Sequence, residues 1–496
     1  MKYDYVVIGA GVSGMSTAII LAKRGFDVAL VEKSRKTAPL IRGFTRNGTY
    51  FDTGFHYTGS LGQDEILDVF FRYLGLADQL VRVPYDPEGF DIFRSLNGGF
   101  EFRFPYGYDR IRKKFYETFP AEKNALDTYL QAVKVTYNSF PYISLNEDAA
   151  PAGIQNRAHG QSLKEFLDRL TDNRVLKAVL SMHCMLHGVP ADEIPFVNHA
   201  CVVGPYYESV HGIRGGGLSL AKAFETQLKI LGVDVYCGQG ASKIRLSYDS
   251  TPAGVRLEDG QELDCRGCVS TVHPSKFLGL IPESFFRPAY RKRLKRLEET
   301  GSANILYAGC NSPPELLGHA NILVSSDLNI SGLRETDPLE NRPVFISCAR
   351  PTGAGTAKHG LTAICPASSS QTNRWSDSMT GKRPPDYIDY KEEIAAKLCQ
   401  SIGAVCPELI EKISFTECAT ALTLRDYSHS PFGSLYGVKH KVGQYNPLPL
   451  TKAKGLFLAG QAIAAPGILG AVVSAFLVCG IIIGHYRVLK ELKKLR

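Results

Sequence analysis

Apolar residues fall into three blocks of different period within the first 32 positions. Residues 3–8 and 27–31 are short, mostly apolar runs, and residues 12–24 between them repeat apolar positions at helical spacing. The short runs predict buried strands, and the intervening repeat predicts a helix. Strand, glycine turn, helix and strand within ~30 residues make the right-handed crossover unit of a parallel sheet. Residues 65–200 then read as largely helical, interrupted by an aromatic alternation at Phe100, Phe102, Phe104, Tyr106 and Tyr108. That stripe predicts a strand or hairpin that either faces a core or lines an apolar tunnel.

A helix is expected over 221–230, with strands over 233–236 and 241–247. Asp259-Gly260-Gln261 reads as the turn of a hairpin between 255–257 and 263–265, and the polar stretch 368–382 as a surface loop. Residues 456–484 carry no charge and imitate a membrane span, but Gly460, Pro466, Gly467 and Gly470 interrupt the first half. A strand, turn and helix of the folded chain explains those breaks better than a spanning helix.

The glycine-rich blocks lie at both ends, so one domain is assembled from separated pieces with another inserted. At 496 residues the chain exceeds a single compact core. A hydrophobic share of 44% and charged share of 21% exclude a disordered or wholly membrane-embedded chain. The net charge of +8 is modest for this length, so only local clusters bear on partners. The 12 cysteines are scattered, and the single CxxC at Cys265–Cys268 enters an apolar stretch without a second pair at metal spacing. Small buried residues beside a strand account for it. With residue 3 already in a strand, no secretory leader is expected, and the protein is assigned to the cytoplasmic side.

Gly9-Ala10-Gly11-Val12-Ser13-Gly14 is GxGxxG placed between strand and helix. Gly9 permits the tight turn, Gly11 admits a pyrophosphate against the backbone, and Gly14 lets the helix pack on the strand. The helix N-terminus faces the phosphate charge. Glu32, followed by Lys33, ends the second strand, where a carboxylate accepts from both ribose hydroxyls and repels a 2′-phosphate. These residues specify an ADP moiety and leave FAD and NAD both open.

Residues farther along separate the two. Phe51-Asp52-Thr53-Gly54-Phe55-His56-Tyr57-Thr58-Gly59 resembles the FDTGxHYxG segment of the retinol saturases, within the phytoene desaturase and carotenoid isomerase group of flavoenzymes. Leu186-His187-Gly188-Val189-Pro190 resembles that group's LHGVPP stretch, and Gly212-Ile213-Arg214-Gly215-Gly216-Gly217 its YPRGGS loop. Gly433-Ser434-Leu435-Tyr436-Gly437 with His440 matches GxxYGxxH, and Gly455-Leu456-Phe457-Leu458-Ala459-Gly460-Gln461 matches GLYLTGQ.

The resemblance implies FAD as the cofactor. It implies a fold of the α/β class: a Rossmann-like FAD-binding domain of the glutathione reductase type built from 1–75, 205–275 and 415–496. An inserted α+β domain, 76–204 and 276–414, takes the substrate and faces the membrane. It also implies that Gly460, Gln461, Gly467, Ile468 and Gly470 bring backbone to the diphosphate and ring, and that Ala241 sets its backbone against the adenine. Two positions depart from the group. Ala38-Pro39 stands where a diglycine is usual, and Ala462 where an aspartate is common.

The implied activity is oxidoreduction at a C=C bond of an apolar polyene or isoprenoid, most closely saturation. Desaturation and cis–trans isomerisation use the same scaffold, and the pattern names no electron donor or acceptor. A non-catalytic prenyl-binding protein of the GDP-dissociation-inhibitor fold is the alternative of another class. The polar candidates for catalysis are His56, Tyr57 and His187; a histidine titrates near neutral pH and suits proton donation. His56 and Tyr57 have structural alternatives, a loop-fixing histidine and a packed tyrosine. His183 and His187, four apart, suit one helical face, but no further ligand completes a metal site. Arg291, Lys292, Arg293, Lys295 and Arg296 beside Phe285, Phe286 and Tyr290 suit an anionic membrane surface or simply a solvated face. No nucleic-acid module accompanies the charge.

Overall fold

The structure is a computed structural model that describes residues 2–95, 99–147, 160–325, 335–350 and 358–496. The N-terminal pattern folds as its periods dictate. Strand β1 (Lys2–Ile8) pairs in parallel with β2 (Val28–Glu32), and the helix between them spans Val12–Ala22. On its other side β1 pairs in parallel with β3 (Glu262–Ser270), which in turn carries β4 (Leu456–Leu458). The sheet order is Asp234–Cys237, β2, β1, β3, Pro252–Leu257, Ala241–Leu246, the last two antiparallel. Segments from the start, middle and end of the chain thus share one sheet.

The strands are apolar on both faces because both are covered. Val7, Leu30 and Val269 pack into one cluster, while Val6, Ile8, Ala29, Val31 and Cys268 pack into another on the opposite face. The C-terminal ends Ile8, Val31, Ser270 and Leu458 stand side by side in register. With neighbours added on both sides of β1, this edge forms the crevice where open α/β sheets bind ligands.

A second sheet runs in the order Ile413–Ala419, Ser302–Cys310, His359–Ala367, Val344–Cys348, Asn321–Ser325, Asp91–Ser95, Glu101–Phe104. It is antiparallel except where Asn321–Ser325 lies parallel to Asp91–Ser95. The aromatic stripe belongs to this sheet and faces a core: Phe102 and Phe104 are fully buried against Phe115. The region 65–200 is therefore less helical than its pattern suggests, holding strands Arg82–Pro84, Asp91–Ser95 and Glu101–Phe104. The stretch 368–382 is not simply a surface loop. It contains the 3-10 helix Ser369–Trp375, which buries Trp375 and directs its Nε1 to Asp386 at 2.9 Å. One apolar side chain outweighs the polar average there.

The helices that frame the site are α1 (Val12–Ala22), α2 (Lys123–Asn138), α3 (Phe196–Glu208), α4 (Gly216–Ile230), α5 (Pro288–Lys295), α6 (Gly467–Ile483) and α7 (His485–Lys493). The segment that imitates a membrane span folds as β4, a turn and α6. Among the described residues no helix is long and apolar enough to cross a membrane.

Candidate functional site

The glycines of the N-terminal turn divide by what a side chain would strike. Gly9 holds φ +100, and a β-carbon there meets Thr271 Oγ1 at 2.5 Å; one on Gly14 falls 1.8 Å from the Gly9 carbonyl oxygen. Both are demanded by packing. A β-carbon on Gly11 meets nothing within 4 Å, so this glycine keeps space open in front of α1. Gly11 caps α1 without a side-chain hydrogen bond, which leaves first-turn N–H groups aimed at that space.

Glu32 is buried at the end of β2, accepting from Ala10 N and Ser34 N, each at 2.8 Å. Lys33 turns outward to Glu258 Oε1 at 2.9 Å. Gly238 N donates to Ser34 O and Gln239 N to Glu32 O, which brings Ala241, the start of its strand, to the same corner. Ala38 has φ +51, the left-handed conformation that suits a glycine, and its N–H donates to Ala10 O. A residue with a β-carbon therefore stands in a backbone conformation that suits glycine.

At the other end of the chain, Gly460 has φ +109 and its N–H donates to Ser474 Oγ at 2.9 Å. Ser474 Oγ also meets Ser13 Oγ at 2.7 Å, and Cys479 Sγ reaches Thr17 O at 3.8 Å, so α1 and α6 run parallel. By that register the N-terminus of α6 begins roughly 9 Å beyond that of α1. It is capped by Pro466 without a side-chain bond, with open space beside Gly467. Gly470 packs on the turn below, its missing β-carbon 2.2 Å from Ala465 O. Two offset helix N-termini, an open Gly11 and a buried ribose carboxylate fit FAD extended from adenine to ring. Glu32 would hold the ribose, Gly11 to Gly14 the diphosphate, and Gly460 to Gly470 the far end.

Beyond α6's N-terminus lies a largely apolar cavity of about 150 Å³. Ile468, Val473 and Leu477 of α6 wall one side; Phe140, Tyr142 and Ile143 wall another, with Thr58, Gly59 and Tyr206 between. His440, Asn198 and Gln444 are among its polar groups. His440 Nε2 lies 2.9 Å from Gln461 O. A carbonyl only accepts, so Nε2 carries the proton and Nδ1 takes the Asn446 Nδ2 hydrogen at 3.3 Å. Gln461 thus holds His440 through its carbonyl, and His440 and Gly467 both line the cavity where the cradle ends.

His56, Tyr57 and His187 are not among the residues lining this cavity. His56 lies against Phe345 with Nε2 unpartnered, and burial pushes its pKa down to about 4, so it is neutral at pH 7. The Tyr57 hydroxyl is taken by Asp91 Oδ2 at 2.9 Å, and Asn321 Nδ2 holds the other carboxylate oxygen at 2.9 Å. His183 and His187 do not share a helical face, because residues 182–186 wind as a 3-10 helix. His183 Nε2 faces Asp91 Oδ2 at 3.2 Å, whereas His187 Nε2 faces His199 Nδ1 at 3.1 Å.

His187 borders a small annex that shares Asn198 and His440 with the cavity. The ligand atoms of Cys184, His187 and His199 also lie within 4.8 Å of one another, a cluster invisible to the spacing of His183 and His187. The hydrogen bonds assign their protons. Val189 N donates to His187 Nδ1 (3.3 Å), so His187 Nε2–H donates to His199 Nδ1, and His199 Nε2–H reaches Tyr129 Oη at 3.3 Å. These tautomers use both lone pairs that face a potential cation.

Asp52, quoted only as part of a motif, proves structural. It is buried, accepts from Gly217 N (2.9 Å) and Tyr50 Oη (2.8 Å), and occupies the space a side chain on Gly216 would need. Burial raises its carboxyl to about 6. Ser474 escaped the sequence reading although it is a hydroxyl inside an otherwise apolar helix, which is itself a signal.

Comparison with known proteins agrees with this geometry. The chain is 25% identical to the all-trans-retinol 13,14-reductase of Danio rerio over 97% of this chain and 86% of that one. It is 21% identical to the chloroplastic prolycopene isomerase of Arabidopsis thaliana over 92% and 76% of the two chains. The fold matches a crystal structure of an oxidoreductase from Methanosarcina mazei, with TM-score 0.66, 17% identity and 97% and 100% coverage. A family model described as flavin containing amine oxidoreductase matches residues 12–483. The chain is a flavin-dependent oxidoreductase and belongs to the flavin-containing amine oxidoreductase family.

Proposed function

We propose that this chain saturates a C=C bond of a polyene or isoprenoid, with FAD as the hydride carrier. The observation that carries the reading is the apolar cavity laid along α6 and starting where the FAD cradle ends. The activity for which the 13,14-reductases are named supports saturation, and these proteins match nearly the whole chain. The chain's own residues bind and orient. Leu469, Val473 and Leu477 offer a stripe at four-residue spacing along which an extended hydrocarbon lies. Phe140 and Tyr142 close over it and exclude water. The His440 ring, held by Gln461 O and Asn446 Nδ2, stands in a fixed orientation at the junction. When bound, FAD supplies hydride exchange with carbon.

The same reading includes peripheral attachment to a membrane, from which an apolar substrate is taken. Lys292, Arg293, Lys295 and Arg296 are exposed on α5, around the buried Leu294. Among the described residues none of the four forms an ion pair with an acidic side chain. Lys292, Arg293 and Arg296 border a second hollow with Lys441 and Gln444, which also rim the cavity, and Leu448 stands half-exposed at that rim. Binding to anionic vesicles that falls with salt supports attachment.

The deciding experiment is anaerobic mixing of chemically reduced, yellow-purified holoenzyme with candidate polyenes. Loss of conjugated absorbance with flavin reoxidation is expected. Reaction of the oxidised enzyme alone, with conjugation lengthening, makes it a desaturase. Turnover without net redox change makes it an isomerase. A colourless protein that cannot take up FAD supports the prenyl-binding alternative instead.

A further inference from the structure

One tyrosine of the cavity wall is linked through its hydroxyl to a partly exposed carboxyl. Tyr137, near the end of α2, is buried against Gly204 of α3, and its Oη lies 3.0 Å from Ser60 Oγ. Ser60 Oγ in turn donates to Glu208 Oε2 at 2.6 Å. Glu208 is the last residue of α3 and only partly buried. Three residues from distant parts of the chain thus form a hydrogen-bonded file ending at an apolar cavity. Ser60 keeps the left-handed φ of +52, its N–H held by Pro205 O and Ser209 O at the end of α3. A conformation uncommon for a residue with a β-carbon is maintained where its hydroxyl bridges the other two.

We propose that this file is a proton entry: Glu208 recharges the Tyr137 hydroxyl through Ser60, and Tyr137 delivers the proton to the bound polyene. The proposal rests on the polyene reading above. In one cycle the Tyr137 O–H bond breaks as a C–H bond forms on the ligand. Ser60 passes its proton to the phenolate, the Glu208 carboxyl passes its proton to Ser60, and water reprotonates Glu208. When bound and reduced, FAD would supply the other hydrogen and both electrons as hydride.

The order of the file follows from donor chemistry. While Glu208 is ionised, Ser60 must donate to it, and the Tyr137 hydrogen points at Ser60. When Glu208 is protonated it donates to Ser60, and the Ser60 hydrogen, which also has Pro205 O at 3.4 Å, is released to donate to Tyr137, whose own hydrogen then turns away from Ser60. Burial lifts the Glu208 carboxyl to about 7, so it holds a proton near neutral pH. Glu65 adds to that rise, Lys134 and Arg496 oppose it, and Tyr108 also faces the carboxyl. Burial raises the Tyr137 phenol well above its usual range, so a lasting phenolate is disfavoured and the transfers are concerted.

The test uses holoenzyme and two independent readouts. In protein carrying carbon-13 glutamate, with Glu208→Gln as the assignment control, Glu208 is expected to titrate near neutrality. Its titration is expected to move upward in Ser60→Gly, which removes a stabilising donor while suiting the left-handed backbone. Titration in the ordinary carboxylate range, or no movement, overturns the relay. In single turnovers, Tyr137→Phe, Ser60→Gly and Glu208→Gln are each expected to slow polyene reduction about 100-fold. The wild-type slowing above pH 7 is expected to vanish in Ser60→Gly. Unchanged rates while the wild type reduces the polyene overturn the relay and leave the polyene reading intact. Holoenzyme that reduces no polyene overturns that reading and the delivery step with it, an outcome distinct from unchanged rates in an enzyme that does reduce the polyene.

Discussion

Ser13 and Ser474 stand 461 residues apart in sequence and 2.7 Å apart in space, one in the first turn of α1 and the other midway along α6. Ser474 also receives the Gly460 N–H at 2.9 Å. This hydroxyl joins the two halves of the cofactor cradle. Ser474→Ala strands a buried backbone donor, so it should cost about 1–3 kcal/mol. Denaturant unfolding of the FAD-free protein measures the loss, and FAD titration should show weaker binding. Unchanged stability and affinity would remove the joint from the account.

Gly11 and Gly14 sit three apart yet should fail differently. Gly14→Ala drives a methyl into the Gly9 carbonyl, at 1.8 Å, and should prevent folding or sharply lower the melting temperature. Gly11→Ala has an ordinary φ of −72 and open space, so the FAD-free protein should melt as the parent does. Its methyl lies where the diphosphate approaches, and FAD retention on a desalting column should fall at least tenfold. If Gly11→Ala binds FAD normally, the diphosphate lies elsewhere.

Ala38 occupies the left-handed region with φ +51. Its strain of about 1–2 kcal/mol exceeds the ~0.4–1 kcal/mol of extra chain entropy that glycine brings to the unfolded state. Ala38→Gly should therefore stabilise the protein by roughly 0.5 kcal/mol, a shift of a degree or so in Tm. A clear loss of stability would show that the methyl's packing outweighs the strain.

Asp52 offers a pH test. Its carboxyl is raised to about 6 by burial, so the folded state holds this proton more tightly than the unfolded chain. The corresponding stability is fully present below about pH 4 and is lost as pH rises through about 6. Asp52→Asn keeps an acceptor for Gly217 N–H without the buried charge. It should exceed the wild type by about 1–3 kcal/mol at pH 7 and match it near pH 4. An equal difference at both values, in urea melts, counts against the raised carboxyl.

The N-terminal unit is legible in the sequence because each of its requirements is local. Strand, turn and helix periods lie within one short segment, and the packing roles of Gly9 and Gly14 follow from the turn between β1 and α1. The break of 456–484 into strand and helix is legible for the same reason, through Gly460, Pro466 and Gly467. The aromatic stripe was ambiguous, since alternation specifies a face but not what covers it; Phe115 and its neighbours decided for a core.

Other features depend on packing between remote segments. His187 finds His199 rather than His183 because the turn at 182–186 tightens to 3-10 and α3 returns alongside it. The Ser13–Ser474 joint and the Tyr137–Ser60–Glu208 file each need elements brought together by the sheets. Sequence by itself determined the strands, helix and glycine turn of the N-terminal unit and the break of 456–484, because backbone sterics and period act over a few residues. Tertiary structure alone decided which side chains meet in the cradle and around the cavity, because hydrogen bonds and close packing act over ångströms in space regardless of separation along the chain.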